Sequence, residues 1–220
     1  VWENNGVYGR TKGQYSSTAV KGSKKKKGPI NEIQPIDLCK LTINLGCTFV
    51  ARSFSGSKKQ LSALMKAAMS HRGFALLDII SPCVTFNNND ESLRSYTYVK
   101  EHDVELHAYD YIPNQTPIEA AAAPEGEYHD ITLFDGSTLR LETIGSDHDP
   151  SDAVAALSAL HIAEQENKHV TGLLYFDPTK ATATEDQHLV DTPLADIPDD
   201  IMRPSAASLD EINRRFRGKA

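Results

Sequence analysis

The stretch Phe74-Ala75-Leu76-Leu77-Asp78-Ile79-Ile80 constrains the fold of this chain more than any other. A nearly continuous apolar run suits a strand covered on both faces, as in a parallel sheet flanked by helices; a sheet with one face in water would alternate instead. A parallel neighbour needs a crossover of a dozen or more residues, most often a helix, and the sequence just upstream supplies one. Cys47 to Ala51 reads as a short buried strand and Arg52 to Gly56 as a loop. Ser57 could cap a helix whose apolar face is Leu61, Leu64, Met65, Ala68 and Met69, ended by Gly73. Strand, helix and strand make a βαβ unit. The expected architecture is therefore α/β, with a doubly wound, mostly parallel sheet.

The flanking segments are placed around that unit. Asn4 to Pro29, rich in Gly, Ser, Thr and Lys, reads as an extended loop that includes the run Lys24 to Lys27. Pro35 and Gly46 suit the first turn of a helix and the residue past its end. Asn87 to Pro124 is polar and mixed, with a helical piece near Glu91 to Val99 and an Ala- and Pro-containing spacer at Ala120 to Pro124. Asp135-Gly136 between Ile131–Phe134 and Ser137–Leu141 is a hairpin signal. A helix starting at Asp149 or Ser151 has Val154, Leu157 and Ile162 as candidates for burial, Val170 to Phe176 reads as a strand, and Ser205 to Phe216 as a closing helix. These readings divide the chain into a doubly wound part, 1–112, and a small α+β extension with a tail, 113–220.

Composition narrows the function classes. The chain has 220 residues and a net charge of −7, with pI about 5.6, which argues against a nucleic-acid binder. No apolar run is long enough for a transmembrane helix. Three cysteines, Cys39, Cys47 and Cys83, do not suggest a disulfide framework, and a reducing cytoplasm is the expected setting. The start at Val1, without Met or a signal core, is expected to lie partway through a domain. Hydrolase and nucleotidase motifs such as Gly-x-Ser-x-Gly, His-Glu-x-x-His and the Walker loop are absent from the sequence. Asp147-His148-Asp149 has a metal-like composition, but its place before a helix favours Asp149 as a cap. His71, His161 and His169, at or near helix ends, are expected on the surface.

In an open parallel sheet, ligands bind at the carboxyl ends of the strands. Three loops are expected there: Asn4 to Gln14, Arg52 to Gly56, and Ser81-Pro82-Cys83. The first carries Gly6, Gly9 and Gly13, which permit close backbone approach, and an Asn side chain and backbone carbonyls, hard oxygen donors of the kind Mg²⁺ accepts beside a diphosphate. Read from the residues alone, this loop is as consistent with a solvated Gly-rich turn, and Cys83 with a buried core cysteine.

The motif Asn4-Asn5-x-x-Tyr8-Gly9-x-Thr11-x-Gly13-Gln14 resembles the second half of the thiamine-diphosphate signature of 2-oxoacid:ferredoxin oxidoreductase β subunits. The resemblance continues through Phe49-Val50-Ala51-Arg52-x-Phe54, Gly73-Phe74-Ala75-Leu76-x-Asp78, Pro82-Cys83-Val84-Thr85-Phe86-Asn87, Val170 to Tyr175 and Asp191 to Leu194. It implies a thiamine-diphosphate-binding fold, with Asn4, Asn5, Gly6, Val7, Tyr8, Gly9, Thr11 and Gly13 at the cofactor. By the same resemblance the Asn5 side chain and the Val7 carbonyl match the Mg²⁺ ligands, a third being the Asp of a Gly-Asp-Gly that this sequence lacks. Cys83 matches one thiolate ligand of a 4Fe–4S cluster whose other three cysteines are not in this sequence, so the chain alone is expected to be inactive. Lys12 and Lys59 match basic positions suspected in docking substrate or ferredoxin. The family implies oxidative decarboxylation of a 2-oxoacid, with coenzyme A as acyl acceptor, ferredoxin as electron acceptor and an α subunit as partner. We favour 2-oxoglutarate, with pyruvate the alternative; a non-catalytic α/β scaffold binding an acidic partner through Lys24 to Lys27 is the contrasting possibility. Two positions depart from the family pattern. Arg10 stands where a small or apolar residue is usual, and Cys47 where Ala is frequent; Cys47 is expected to be a small buried residue.

Overall fold

The computed structural model describes residues 1–25, 28–112, 128–132, 135–143 and 148–217. Its strands are β1 (Trp2–Asn4), β2 (Val7–Tyr8), β3 (Gln14–Tyr15), β4 (Phe49–Phe54), β5 (Ala75–Ile80), β6 (Asp103–Glu105), β7 (His107–Ile112), β8 (Tyr128–Thr132), β9 (Thr138–Thr143) and β10 (His169–Phe176). Its helices are α1 (Leu38–Asn44), α2 (Lys58–Ser70), α3 (Tyr96–His102), α4 (Ala153–Gln165), α5 (Ala183–Asp186), α6 (Asp199–Met202) and α7 (Ala206–Arg217). The central sheet has the order β1-β5-β4-β10-β6. Its neighbours pair in parallel except β10 against β4. A two-stranded hairpin, β2-β3, and a three-stranded antiparallel sheet, β7-β9-β8, complete the strands.

The βαβ unit is β4-α2-β5, and alternation along both strands explains the layers. Phe49 and Ala51 on β4 and Leu77 and Ile79 on β5 pack with Ala63, Leu64 and Ala67 of α2. Val50 faces the other way, onto Cys39 and Ile43 of α1 and Ala156, Leu160 and Ala163 of α4. Helices thus cover both faces, as the apolar run of β5 requires. α1 is capped by Asp37, whose carboxylate accepts from the Cys39 and Lys40 amides, and α4 by Asp152, which accepts from those of Val154 and Ala155.

Several sequence expectations move. β4 runs on through Phe54, so Arg52 lies within the sheet and not in a loop, and ion pairs with Asp78 and Asp37 make that position tolerable. The stretch expected as a plain loop from Asn4 contains the β2-β3 hairpin. The helical piece expected near Glu91 to Val99 is α3, starting at Tyr96. In α4 the buried positions are Ala156, Leu160 and Ala163, while Val154 and Ile162 are exposed. Nine of the thirteen side chains on that helix are apolar, more than its inner face can take, and the small alanines allow close approach to the sheet. Asp149 makes a turn with the Ser151 amide and hydroxyl while Asp152 takes the cap. His71 and His169 are buried, not superficial; each ring bonds a fixed partner, His71 the Thr48 hydroxyl at 2.7 Å and His169 the Leu93 carbonyl at 3.0 Å. Strands β8 and β9, on either side of Asp135-Gly136, pair antiparallel, with Thr132 opposite Thr138. Lys26, Lys27, the Ala120–Pro124 spacer and Asp147 lie outside the described residues.

The chain divides into two compact units, Val1–Thr182 and Ala183–Ala220. β10 enters the sheet between β4 and β6 and so binds later sequence to the earlier strands. In the second unit, α7 carries basic residues in its last turn and an Arg215–Glu211 pair at 2.5 Å.

Candidate functional site

β1, β5 and β4 run in one direction, so their carboxyl ends share an edge. Asn4 lies opposite Ile80 and Phe54 opposite Ile80 in the two registers, and the Ser81 amide donates to the Asn4 carbonyl at 3.1 Å. The loops carrying Asn5 and Cys83 therefore leave adjacent strands side by side. β10 opposes β4, which brings its first residue, His169, to the same edge.

Of the paired asparagines, Asn4 turns inward. Its amide nitrogen donates to Asp78 at 3.0 Å and its amide oxygen accepts from the Thr18 hydroxyl at 2.7 Å. Asn4 thus holds the loop's stem, and the half-buried Asn5 presents the available side chain. The Asn5 amide oxygen accepts from the Val7 amide at 3.1 Å, closing an Asx turn that leaves a second lone pair on that oxygen. Gly6, at φ +72°, sits in this turn; a methyl group there would stand 3.1 Å from both the Arg94 Cδ and the Asn87 side chain. The hairpin beyond brings Tyr8, Gly9, Thr11 and Lys12 out to solvent, with the Thr11 hydroxyl bonded to the Tyr8 carbonyl at 3.1 Å. Lys59 lies exposed in the first turn of α2, just past the end of β4.

Cys83 is half-buried in the loop after β5. Its carbonyl accepts from the Asn87 amide at 2.7 Å, and the Asn87 side chain donates to the Asn5 carbonyl at 3.1 Å. One buried residue thus ties the Cys83 loop to the Asn5 loop. Sequence reading placed Asn87 only in the motif after Cys83, since its reach across 82 residues has no local signature. Cys39 and Cys47 are buried; the Cys47 thiol bonds the Phe49 and Phe74 carbonyls and Cys39 faces Asp78. Burial raises both thiols' pKa, so neither is a ready ligand. The lysine run is partly engaged: Lys24 pairs with Glu91 at 2.7 Å, and Lys25 donates to the Gly13 carbonyl with its ammonium 4.3 Å from the Tyr15 ring centre.

Beneath the loop is a cleft of about 80 Å³ whose lining includes Asn4, Thr18, Asp37, Arg52, Arg94 and His169. Arg52 bridges Asp78 at 2.9 Å and Asp37 at 2.8 Å. Burial would weaken its charge, but Asp37 and Asp78 hold it in place, and Arg52 in turn brings the Asp37 carboxyl below its usual range against the effect of burial. Arg94 is bound differently: its two terminal nitrogens donate to the carbonyls of Asn4 at 3.0 Å and Thr18 at 2.7 Å, and its Nε is buried with no partner. Burial brings its pKa down to about 10, while burial and then the Arg94 charge bring His169 down to about 4. Sequence reading missed Arg94 because its neighbours Leu93 and Ser95 suggest only a helix approach.

Among the described residues no group of three or more His, Cys, Asp or Glu could hold a metal ion. A divalent ion here would therefore rely on the Asn5 amide oxygen, a backbone carbonyl and a diphosphate. The Asx turn, a glycine that keeps the backbone open and, below it, a buried guanidinium bonded to carbonyls with its Nε unpartnered fit such an anion-bound ion. For a 4Fe–4S cluster, which takes about four thiolates, Cys83 is the accessible one in this sequence.

Residues 1–79 match the family of the thiamine pyrophosphate enzyme C-terminal TPP-binding domain, a stretch that includes β1, the β2-β3 hairpin, β4 and most of β5. The chain is 38% identical over 122 residues to a 2-oxoacid:ferredoxin oxidoreductase subunit beta from Sulfolobus sp, covering 54% of this chain and 37% of that protein. It is 34% identical over 108 residues to the 2-oxoglutarate synthase subunit KorB of Methanocaldococcus jannaschii, covering 47% and 40%. Over these stretches the chain is similar to β subunits of 2-oxoacid:ferredoxin oxidoreductases, and it spans about two fifths or less of the length of these relatives. In three dimensions it resembles the 2-oxoglutarate:ferredoxin oxidoreductase from Magnetococcus marinus, solved with 2-oxoglutarate, coenzyme A and succinyl-CoA bound, with a TM-score of 0.57 and 24% identity over 96% of this chain and 55% of that one. That likeness shows the fold: a mixed, mostly parallel sheet with helices on its faces. No helix among the described residues is long and apolar enough to cross a membrane.

Proposed function

We propose that this chain forms the thiamine-diphosphate and Mg²⁺ side of an enzyme that oxidatively decarboxylates a 2-oxoacid, 2-oxoglutarate being favoured, to acyl-CoA and CO₂, with electrons leaving through a 4Fe–4S cluster to ferredoxin. The observation that carries this reading is the joined pair of loops: the Asn5 turn and the Cys83 loop lie on one sheet edge, linked through Asn87. When bound, thiamine diphosphate supplies the electron sink that makes loss of CO₂ feasible. The chain's own residues do the placing. Asn5, through its side-chain oxygen, and Val7, through its carbonyl, would take the Mg²⁺; Gly6, Tyr8, Gly9, Thr11 and Gly13 would form the wall around the diphosphate. Cys83 would give one thiolate to the cluster, three others coming from outside this sequence. Lys12 and Lys59, exposed at this edge, offer positive charge to the distal carboxylate of the 2-oxoacid or to the acidic surface of ferredoxin, where charge complementarity chiefly speeds encounter. An α subunit would complete the pocket. Pyruvate is the neighbouring substrate class.

The test is Mg²⁺-dependent thiamine-diphosphate binding by the full-length protein, compared with its Asn5→Ala variant. The variant is expected to lose tenfold or more in affinity, on the order of one charge-assisted contact, with its fold intact. Equal affinity in the two proteins would remove the loop from the site.

A further inference from the structure

Arg94 is the buried side chain that the reading above leaves without a task. It reaches back across 90 and 76 residues to the carbonyls of Asn4 and Thr18, and these two residues stand at the two stems of the segment that carries the Asx turn and the β2-β3 hairpin. The planar guanidinium is suited to this, since its donors diverge in a fixed fork and can hold two separate carbonyls at once. Its stem passes directly under Gly6, where an added methyl would lie 3.1 Å from Cδ and 3.5 Å from Nε. Arg94 is itself held in place from behind: the Ser92 hydroxyl accepts its amide at 3.2 Å and donates to the Asn87 side chain at 2.8 Å.

Its charge is bound by no carboxylate among the described residues. The acidic groups nearest in effect, Asp78 and Asp37, both bond Arg52. A buried guanidinium held by two neutral carbonyls, with Nε unpartnered, is an arrangement that gains from an anion close by. The loop it holds is the one assigned above to the diphosphate.

We propose that Arg94 is the positioning residue of the diphosphate loop, fixing both stems of the Asn5-Gly6-Val7 turn and placing an unneutralised positive charge beneath the bound diphosphate. This rests on the thiamine-diphosphate reading. It predicts that charge and forked geometry each contribute to cofactor affinity: Arg94→Gln loses both, while Arg94→Lys keeps the charge but cannot hold the two carbonyls together.

The experiment uses the full-length protein assembled with its partner subunit and stripped of cofactor. Thiamine diphosphate is titrated with Mg²⁺, inorganic pyrophosphate competes in a parallel series, and the KM values for 2-oxoacid and coenzyme A are taken at saturating cofactor. Arg94→Gln is expected to weaken thiamine diphosphate and pyrophosphate together by about tenfold or more, Arg94→Lys by a smaller factor, and both to leave the two KM values within about twofold. A purely structural role would move the KM values with the cofactor constant, or weaken thiamine diphosphate and leave pyrophosphate unchanged; either result overturns the proposal. So does an Arg94→Gln protein that binds thiamine diphosphate as the parent does while Asn5→Ala does not, which leaves the thiamine-diphosphate reading standing. A parent that binds no thiamine diphosphate overturns both. Should Arg94→Gln not fold, Arg94→Lys decides: unchanged affinity for both ligands refutes the role.

Discussion

Two arginines lie under the same sheet edge and are held in opposite ways. Arg52, on β4, is closed off between Asp78 and Asp37 at 2.9 and 2.8 Å. Arg94, from the segment before α3, meets backbone carbonyls and leaves one nitrogen unpartnered. Asn4 joins the two networks, its side chain bonded to Asp78 and its carbonyl to Arg94. The closed network is self-sufficient, because its one guanidinium is shared by two carboxylates that also accept from the Asn4 amide and from the Cys39 and Lys40 amides, and binding a ligand would add little to it. The open one holds a loop and keeps positive charge in reserve. Charge alone does not distinguish a structural arginine from a ligand-directed one; the partners do.

The largest effect is expected where a charge would be stranded. Arg52→Ala leaves Asp78, 1% exposed, without its cation, and should cost about 3–5 kcal/mol, read by urea denaturation of the full-length protein. Arg94→Gln strands no charge, and the Asn4 carbonyl still accepts from the Ser81 amide, so its loss of stability should be clearly smaller. Equal losses for the two variants would erase the distinction between closed and open networks.

The next effect concerns His169, whose ring bonds the carbonyl of Leu93, the residue before Arg94. Its pKa in the fold is about 4, against an ordinary 6.5, because burial and then the Arg94 charge oppose protonation. The fold therefore favours the neutral ring. Between pH 6.5 and 4 the unfolded chain takes up a proton that the folded chain refuses, so this contribution is complete above pH 6.5 and is lost on acidification, by about 3 kcal/mol across the window. Asp103, raised to about 6 by burial, acts with the opposite sign over pH 6 to 4. The difference between parent and His169→Gln in denaturation at several pH values isolates the histidine. Parallel pH profiles for the two proteins would mean that His169 feels neither burial nor Arg94 as described.

How far the sequence revealed these features follows from the range of each interaction. The β4-α2-β5 unit was legible because its signals are local: an apolar run, an apolar helix stripe, a glycine at the end. The candidate loop was legible through its asparagines and glycines, and through the resemblance those residues carry. The inward turn of Asn4 was not, since Asp78 lies 74 residues away, and a pair of asparagines reads alike until one of them finds a buried carboxylate. Arg52 reads as a loop cation for the same reason, its partners being distant in sequence. Burial of His71 and His169 escaped notice because position near a helix end says nothing of what packs on it. The antiparallel placement of β10 in the sheet is a choice of topology among strands of similar composition, which periodicity does not encode.

The smallest effect separates the glycines of the loop that Arg94 holds. Gly13 adopts φ +87°, and a methyl group there would stand 2.8 Å from the Phe86 ring, so both the backbone conformation and the packing against the Cys83 loop exclude a side chain. Gly13→Ala should cost about 1–3 kcal/mol, the scale of local backbone strain, and loosen the contact between the two loops. Gly9 has nothing within 4 Å of an added methyl, so Gly9→Ala should change stability by about 0.5 kcal/mol or less. Denaturation of both variants beside the parent measures the gap. If Gly9→Ala is nearly neutral in stability yet weakens thiamine diphosphate, its open space is used by the ligand; if it changes neither, the diphosphate wall lies nearer Gly6 and Gly13, over the guanidinium of Arg94.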